Sequence, residues 1–256
     1  AGLEVVLILL PHITVFLLAE HLILFQGAVA GINDNIGSEV QNLLQNTGAQ
    51  IQDQAHAGRN ALEIPDVGHR RSQLNVAQWK LLELGKLTWE QVKVRRYRLL
   101  FDELKTDASP EEAARIYEGL LGQGHYFMDG AVEMLQALYG SFHLYLATNG
   151  TASVQKSRLK SAEIEPFFEQ IFISEELGCN KPETSFFERC FATIPDFKKE
   201  EAVMVGDSLT SDILGGIRAG IRTIWFNKDL KESSGEIRPD HTIKALSELP
   251  DLLRSM

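Results

Sequence analysis

No lysine or arginine precedes Arg59 in this chain of 256 residues, although the whole sequence carries 25 basic residues. That absence removes the basic n-region of a secretory leader and the positive flanks that orient a membrane helix. Cysteine is scarce as well. Cys179 and Cys190 are the only 2; they form no CxxC or metal-ligand pattern and suit a reducing compartment rather than a disulfide framework. The sequence therefore reads as cytoplasmic. Positive charge is short overall, with 25 Lys and Arg against 35 Asp and Glu and a formal net charge of -10. Such a surface repels phosphate backbones and anionic lipid, which argues against nucleic-acid and membrane partners. Small anions would need a locally positive pocket or a metal. With 44% hydrophobic and 23% charged residues, disorder, collagen and coiled coil are excluded, and one large or two modest globular domains remain.

A long uninterrupted apolar run is also missing. Residues 4–26, EVVLILLPHITVFLLAEHLILFQ, are mostly apolar, but Pro11, His12, Glu20 and His21 cut them into pieces of strand length. A membrane span needs about 20 continuous apolar residues. Residues 4–9 or 13–18 suit a buried parallel strand instead. Residues 27–73 are rich in Gly, Asn and Gln and show neither helical nor strand periodicity.

From Asn75 the pattern sharpens. Thr88-Trp-Glu-Gln91 and Ser109-Pro-Glu-Glu112 have the spacing of capping boxes, with Pro110 at a first helical position. Helices are expected near 76–84, 89–104 and 110–121. After Asp129-Gly130 short strands and helices alternate: strands at 142–147, 170–174, 202–205, 222–226 and near 241–243, and helices at 152–162, 183–193, 212–219 and 247–254. That alternation predicts an α/β fold, a Rossmann-like parallel sheet covered by helices, with chemistry at the carboxyl ends of its strands.

Three motifs fall at those strand ends. Thr148-Asn149-Gly150 puts a hydroxyl and an amide between a strand and a helix, where free backbone N–H groups can hold an anion; the same residues also make a good turn. Asn180-Lys181-Pro182 places a lysine at a helix start, where the helix dipole repels it unless an anion lies between. The plain alternative is an exposed lysine beside a proline. Gly206-Asp207-Ser208-Leu-Thr-Ser-Asp212 delivers one carboxylate at a strand end and a second within the first helical turn. Two such carboxylates repel unless a cation joins them, and oxygen ligands with room for water and phosphate suit magnesium. Capping by Ser208, Thr210 or Ser211 would explain the hydroxyls but not Asp207.

In this order, with helices upstream, the motifs resemble those of the haloacid dehalogenase-like hydrolases. The phrases ISEELGCNKPETSFF and VMVGDSLTSDILGGIRAGI look most like the pyrimidine 5'-nucleotidase branch. The resemblance covers about residues 75–253. It implies a core at 129–256, an inserted all-helical cap at 75–128, and an atypical segment, 1–74, that contributes a core strand. It also implies that Thr148 and Asn149 bind the transferring phosphoryl group of a small phosphorylated metabolite, that Lys181 neutralises nucleophile and phosphate, and that Asp207 and Asp212 serve a Mg2+ site. The implied activity is phosphomonoester hydrolysis through an aspartyl-phosphate.

One part of that family's pattern is missing. Its nucleophile stands after the first strand as Asp-x-Asp-x-Thr, and residues 1–74 offer only Asp34, Asp53 and Asp66, none in that frame. The nearest frame reads Leu10, His12 and Thr14, in which only Thr14 agrees. A catalytically inactive relative that binds phosphate or a partner is the alternative this predicts. The abrupt change near Asn75 further suggests an irregular gene start, which resequencing would test. In the cap, Lys93-Val-Arg95-Arg96-Tyr97-Arg98 reads as a solvated helix face, with Tyr97, Trp79 and Trp89 in the cap's own core. The other reading is a positive, aromatic lip for nucleotides. His125 and Tyr126 lie near the expected cap hinge.

Overall fold

The computed structural model describes residues 5–8, 64–122, 127–232 and 235–256. The alternative strand at 13–18, the frame Leu10, His12 and Thr14, and His125 and Tyr126 lie outside the described residues. The chain divides into two compact units, residues 1–15 with 122–256 and residues 16–121.

The larger unit is built on a six-stranded sheet. Its strands are β1 (Val5–Ile8), β2 (His143–Thr148), β3 (Gln170–Ile173), β4 (Ala202–Gly206), β5 (Arg222–Phe226) and β6 (His241–Ile243), in the spatial order β3-β2-β1-β4-β5-β6. All five pairings are parallel. β1 is central, with Val6 opposite Leu144 on one side and Val203 on the other. The first of the two strand segments expected from the sequence is thus the strand observed, and the sheet is the Rossmann-like one the alternation predicted.

Side chains of a strand alternate between its two faces, and both faces here are apolar. Leu144, Leu146, Val203, Val205 and Ile224 share one buried cluster with Met134, Leu135 and Leu138 of α4 (Ala131–Leu138) and with Leu249 and Leu253 of α9 (Leu249–Ser255). Tyr145, Ala147, Ala202 and Met204 face the other way, onto Phe186, Phe187 and Cys190 of α7 (Thr184–Phe191). Phe186 and Phe187 are fully buried, and each such phenylalanine contributes about 1.5–3 kcal/mol. α8 (Leu214–Ala219) lies close to the same face, because Gly215 and Gly216 leave no Cβ to meet Phe187 and Met204. Cys179 and Cys190 are both buried free thiols.

The smaller unit's described part is three helices, α1 (Ile64–Glu83), α2 (Trp89–Leu104) and α3 (Pro110–Leu121). α1 starts well upstream of the expected residue 76, within a stretch whose Pro65, Gly68 and run of polar residues hide the helical period. The capping box at α2 forms as the spacing predicted: Gln91 N–H donates to the Thr88 hydroxyl at 3.3 Å and Thr88 N–H to Gln91 Oε1 at 2.9 Å. At α3 only half of it forms. Glu112 N–H donates to Ser109 Oγ at 3.2 Å, while the Glu112 carboxylate takes Arg115 instead.

The basic run is not one solvated face. Arg95 and Arg98 are exposed and Lys93 is half-buried, but Arg96 is buried beside Tyr97. Its guanidinium lies 5.1 Å from the Tyr97 ring centre and 4.7 Å from that of Tyr117, and Nη1 donates to Asn75 Oδ1 at 2.7 Å. Stacking and hydrogen bonds make burial of a delocalised cation tolerable where solvation was expected. Trp79 and Trp89 are half-buried.

Candidate active site

The three motifs follow the carboxyl ends of β2, β3 and β4, with β1 lying between β2 and β4. Thr148 closes β2 and is buried, Gly206 closes β4 with Asp207 next, and Lys181 follows β3 and the short helix α6 (Ser174–Leu177). Lys181 is not the exposed lysine of the plain alternative. Its side chain and that of Asp212 are each 1% exposed, and Nζ donates to Asp212 Oδ1 at 2.9 Å and to Ala147 O at 2.8 Å. Burying a lone ammonium would cost several kcal/mol. The carboxylate and the carbonyl offset that cost and hold the ammonium at the end of the sheet.

Asp212 is itself tied down. Its second oxygen, Oδ2, accepts the Ser208 N–H at 3.1 Å. It sits in a wide π-type turn, Leu209–Ile213, that precedes α8, and Ser208 caps this turn by accepting the Ser211 N–H at 3.1 Å. Gly206 is required for the close approach: a Cβ built on it would come within 2.5 Å of Asp212 Cβ and 2.6 Å of Cγ.

Asp207 differs from Asp212. Burial, with the Asp212 charge second, pushes its carboxyl well above the usual carboxylate range, and its own backbone hydrogen bond, Lys181 and Lys231 offset this only in part. Trp225 Nε1 donates to the Asp207 carbonyl at 2.9 Å and fixes its backbone at the strand end. A half-buried carboxylate beside a second one is what a divalent cation relieves. Among the described residues no group of three or more His, Cys, Asp and Glu gathers around one point. Among the described residues the carboxylates at this strand end are Asp207 and Asp212, and an oxygen-only set of one or two carboxylates with room for water fits magnesium.

Asn149 is drawn inward. Its Nδ2 donates to Lys181 O at 2.8 Å and to Ser211 Oγ at 3.2 Å, and its Oδ1 accepts the Lys181 N–H at 2.9 Å. The helix that follows, α5 (Ala152–Ser161), has a carboxylate at its start, since Ala152 N–H donates to Glu175 Oε2 at 2.7 Å. Sequence reasoning missed Glu175, Trp225 and the bonding role of Ser211. No spacing within the chain announces Glu175 or Trp225, and Ser211 gave only a capping signal.

Fold and site together define a Rossmann-like α/β core with its polar motif residues gathered at the carboxyl edge of a parallel sheet. Residues 88–226 match the family described as haloacid dehalogenase-like hydrolase, and the chain belongs to that family. It is 37% identical over 188 residues to YfnB of Bacillus subtilis, covering 73% of this chain and 80% of that one. The pyrimidine 5'-nucleotidase PynA of Streptococcus pneumoniae is 36% identical over 181 residues, covering 70% of this chain and 76% of PynA. The structure of YfnB bound to magnesium, which reveals interdomain movement, matches with a TM-score of 0.71 at 34% identity, covering 82% of this chain and 92% of that one. Among the described residues no helix is long and apolar enough to cross a membrane.

Proposed function

We propose that this chain is a magnesium-dependent phosphomonoester hydrolase of the cytoplasm, acting on small phosphorylated metabolites and on pyrimidine nucleoside 5'-monophosphates first among them. The observation that carries the reading is the Lys181 ammonium, buried at the carboxyl edge of the sheet and held by Asp212 and Ala147. Such a fixed charge suits a dianionic phosphoryl group, whose transfer depends on positioning and charge neutralisation. The named activity of PynA supports the choice of substrate.

In this reading Thr148 receives a phosphoryl oxygen, Lys181 neutralises charge as it builds on the phosphoryl group, and Asp212 keeps the ammonium in place. Asp207 would hold the metal, with Asp212 supporting it, and a bound magnesium ion would supply Lewis-acid polarisation of the phosphoryl oxygens. The helices of residues 75–128 would act as a cap that selects the leaving group over a core of residues 129–256. The family's attacking carboxylate belongs to the segment after the first strand. In this chain that segment lies outside the described residues and reads Leu10, His12 and Thr14.

The test is phosphate release from a nucleotide panel by the purified chain. Release should stop on chelation of magnesium and on Asp207→Asn. Orthophosphate binding without any release would overturn the hydrolase reading in favour of an inactive, phosphate-binding relative.

A further inference from the structure

The resemblance assigns Asn149 to phosphate binding, and its hydrogen bonds leave its side chain nothing with which to do so. A carboxamide has two N–H donors and one oxygen acceptor. Nδ2 gives both donors away, to Lys181 O at 2.8 Å and Ser211 Oγ at 3.2 Å, and Oδ1 takes Lys181 N–H at 2.9 Å. Only lone-pair density on Oδ1 is left, and that repels a phosphoryl oxygen. We propose that Asn149 is a positioning residue, whose side chain clamps the main-chain N–H and C=O of Lys181 and thereby fixes the ammonium.

The geometry is that of a backbone pair in a sheet, with a side-chain amide replacing the neighbouring strand. Lys181 lies in a loop between α6 and α7, without a ladder of its own. The amide supplies the missing partner for its N–H and its C=O at once. Beyond the peptide, the lysine side chain reaches Ala147 O and Asp212 Oδ1. The Lys181 loop is therefore pinned at its main chain by Asn149 and at its tip by Asp212. The third bond, to Ser211, attaches the same amide to the turn that carries Asp212. One side chain thus spans the three motif loops, and without it the ammonium is held only at its tip. Misplacement of a catalytic group by about 1 Å costs on the order of 100-fold in rate.

The test does not depend on turnover. Lysines are reductively methylated in the folded protein and the extent at Lys181 is read by mass spectrometry, with alkylation of the buried Cys190 thiol in the same sample as a gauge of general opening. In the wild type both groups should be protected. In Asn149→Ala, with its three hydrogen bonds gone, the rate at Lys181 should rise about tenfold or more through local opening, while Cys190 stays protected. Asn149→Asp is nearly isosteric and keeps the acceptor but loses both donors, so it should fall between the two and serves if the alanine variant does not fold. Unchanged protection of Lys181, or parallel exposure of Lys181 and Cys190, would overturn the proposal.

The kinetic consequence rests on the phosphatase reading and is measured separately. Asn149→Ala should lower kcat/KM by roughly 10- to 100-fold, yet lower it no further in a Lys181→Met background. Multiplying losses would mean that Asn149 meets the substrate on its own and would overturn the positioning role. A chain that never releases phosphate would refute the phosphatase reading and leave the labelling result standing.

Discussion

Replacing Gly206 with alanine should dismantle the site with one methyl group. Gly206 ends β4 outside the left-handed backbone region, so alanine carries no conformational penalty there. The cost is contact. The new Cβ would lie 2.5 Å from Asp212 Cβ and 2.6 Å from Cγ, where carbon atoms rest at about 3.5–4.0 Å. Asp212 must retreat by about 1 Å to restore that spacing. Its carboxylate is held at 2.9 Å by Lys181 Nζ and at 3.1 Å by Ser208 N–H, and such a retreat carries both beyond hydrogen-bonding range. Breaking a buried ion pair costs about 3–5 kcal/mol, a large share of the 5–15 kcal/mol that holds a typical domain folded. In urea, with a slope of about 1–3 kcal/mol per molar, the unfolding midpoint should drop by at least about 1 M. Asp212→Gly removes the three atoms nearest the methyl group, and in that background Gly206→Ala should add less than about 1 kcal/mol. An unchanged midpoint in the wild-type background, or an equal penalty in both backgrounds, refutes the reasoning.

Gly216→Ala should cost about 1–3 kcal/mol by overpacking, because its Cβ would meet Thr223 Cγ2 at 2.7 Å and Met204 Cβ at 2.9 Å; a neutral result in urea would contradict the close packing of α8. In the helical unit, Thr88→Ala removes one half of the capping box and should lower stability by about 1 kcal/mol, visible as an earlier loss of helical circular dichroism on heating. Tyr97 and Tyr145 are pushed up to about 12, each chiefly by burial and Tyr145 also by its bond to Glu169. Their contribution to stability is full below the ordinary tyrosine value near 10 and is lost as pH rises through about 12. Alkaline titration by phenolate absorbance should therefore show two tyrosines ionising late, and complete ionisation by about pH 11 in folded protein would refute this. The Cys190 thiol is likewise pushed up to about 12 by burial, so iodoacetamide should leave it intact near pH 8.5 until urea opens the core.

Most of the larger unit was legible because its two periods are clean. Leu144 and Leu146 point one way and Tyr145 and Ala147 the other, and the turns between strands carry Gly and Pro at helix boundaries. Thr148 and Asp207 were legible as residues at strand ends, and Lys181 and Asp212 as residues of the loop and turn that follow. The work of Asn149 was not, since its partners Lys181 and Ser211 come from two other loops and no local rule brings them together. α1 was read short because Gly68 and a polar stretch mask its first turns. Arg96 was read as solvated because a periodicity argument counts a guanidinium as polar, whereas Tyr97 and Tyr117 give it an aromatic surface to lie on.

The central place of β1 bears on how the chain folds. Val5 pairs with His143 on one side and with Ala202 on the other, so this strand needs two neighbours that lie far along the chain from it and are made much later. Both pairings close long loops, the kind of contact that slows folding and prolongs the life of open strand edges. Without β1, β2 with β3 and β4 with β5 and β6 would be two half-sheets, each presenting an unpaired inner edge. Val5–Ile8, four residues long, is the seam that joins them, and the rate of sheet assembly should be more sensitive to this strand than to either outer strand.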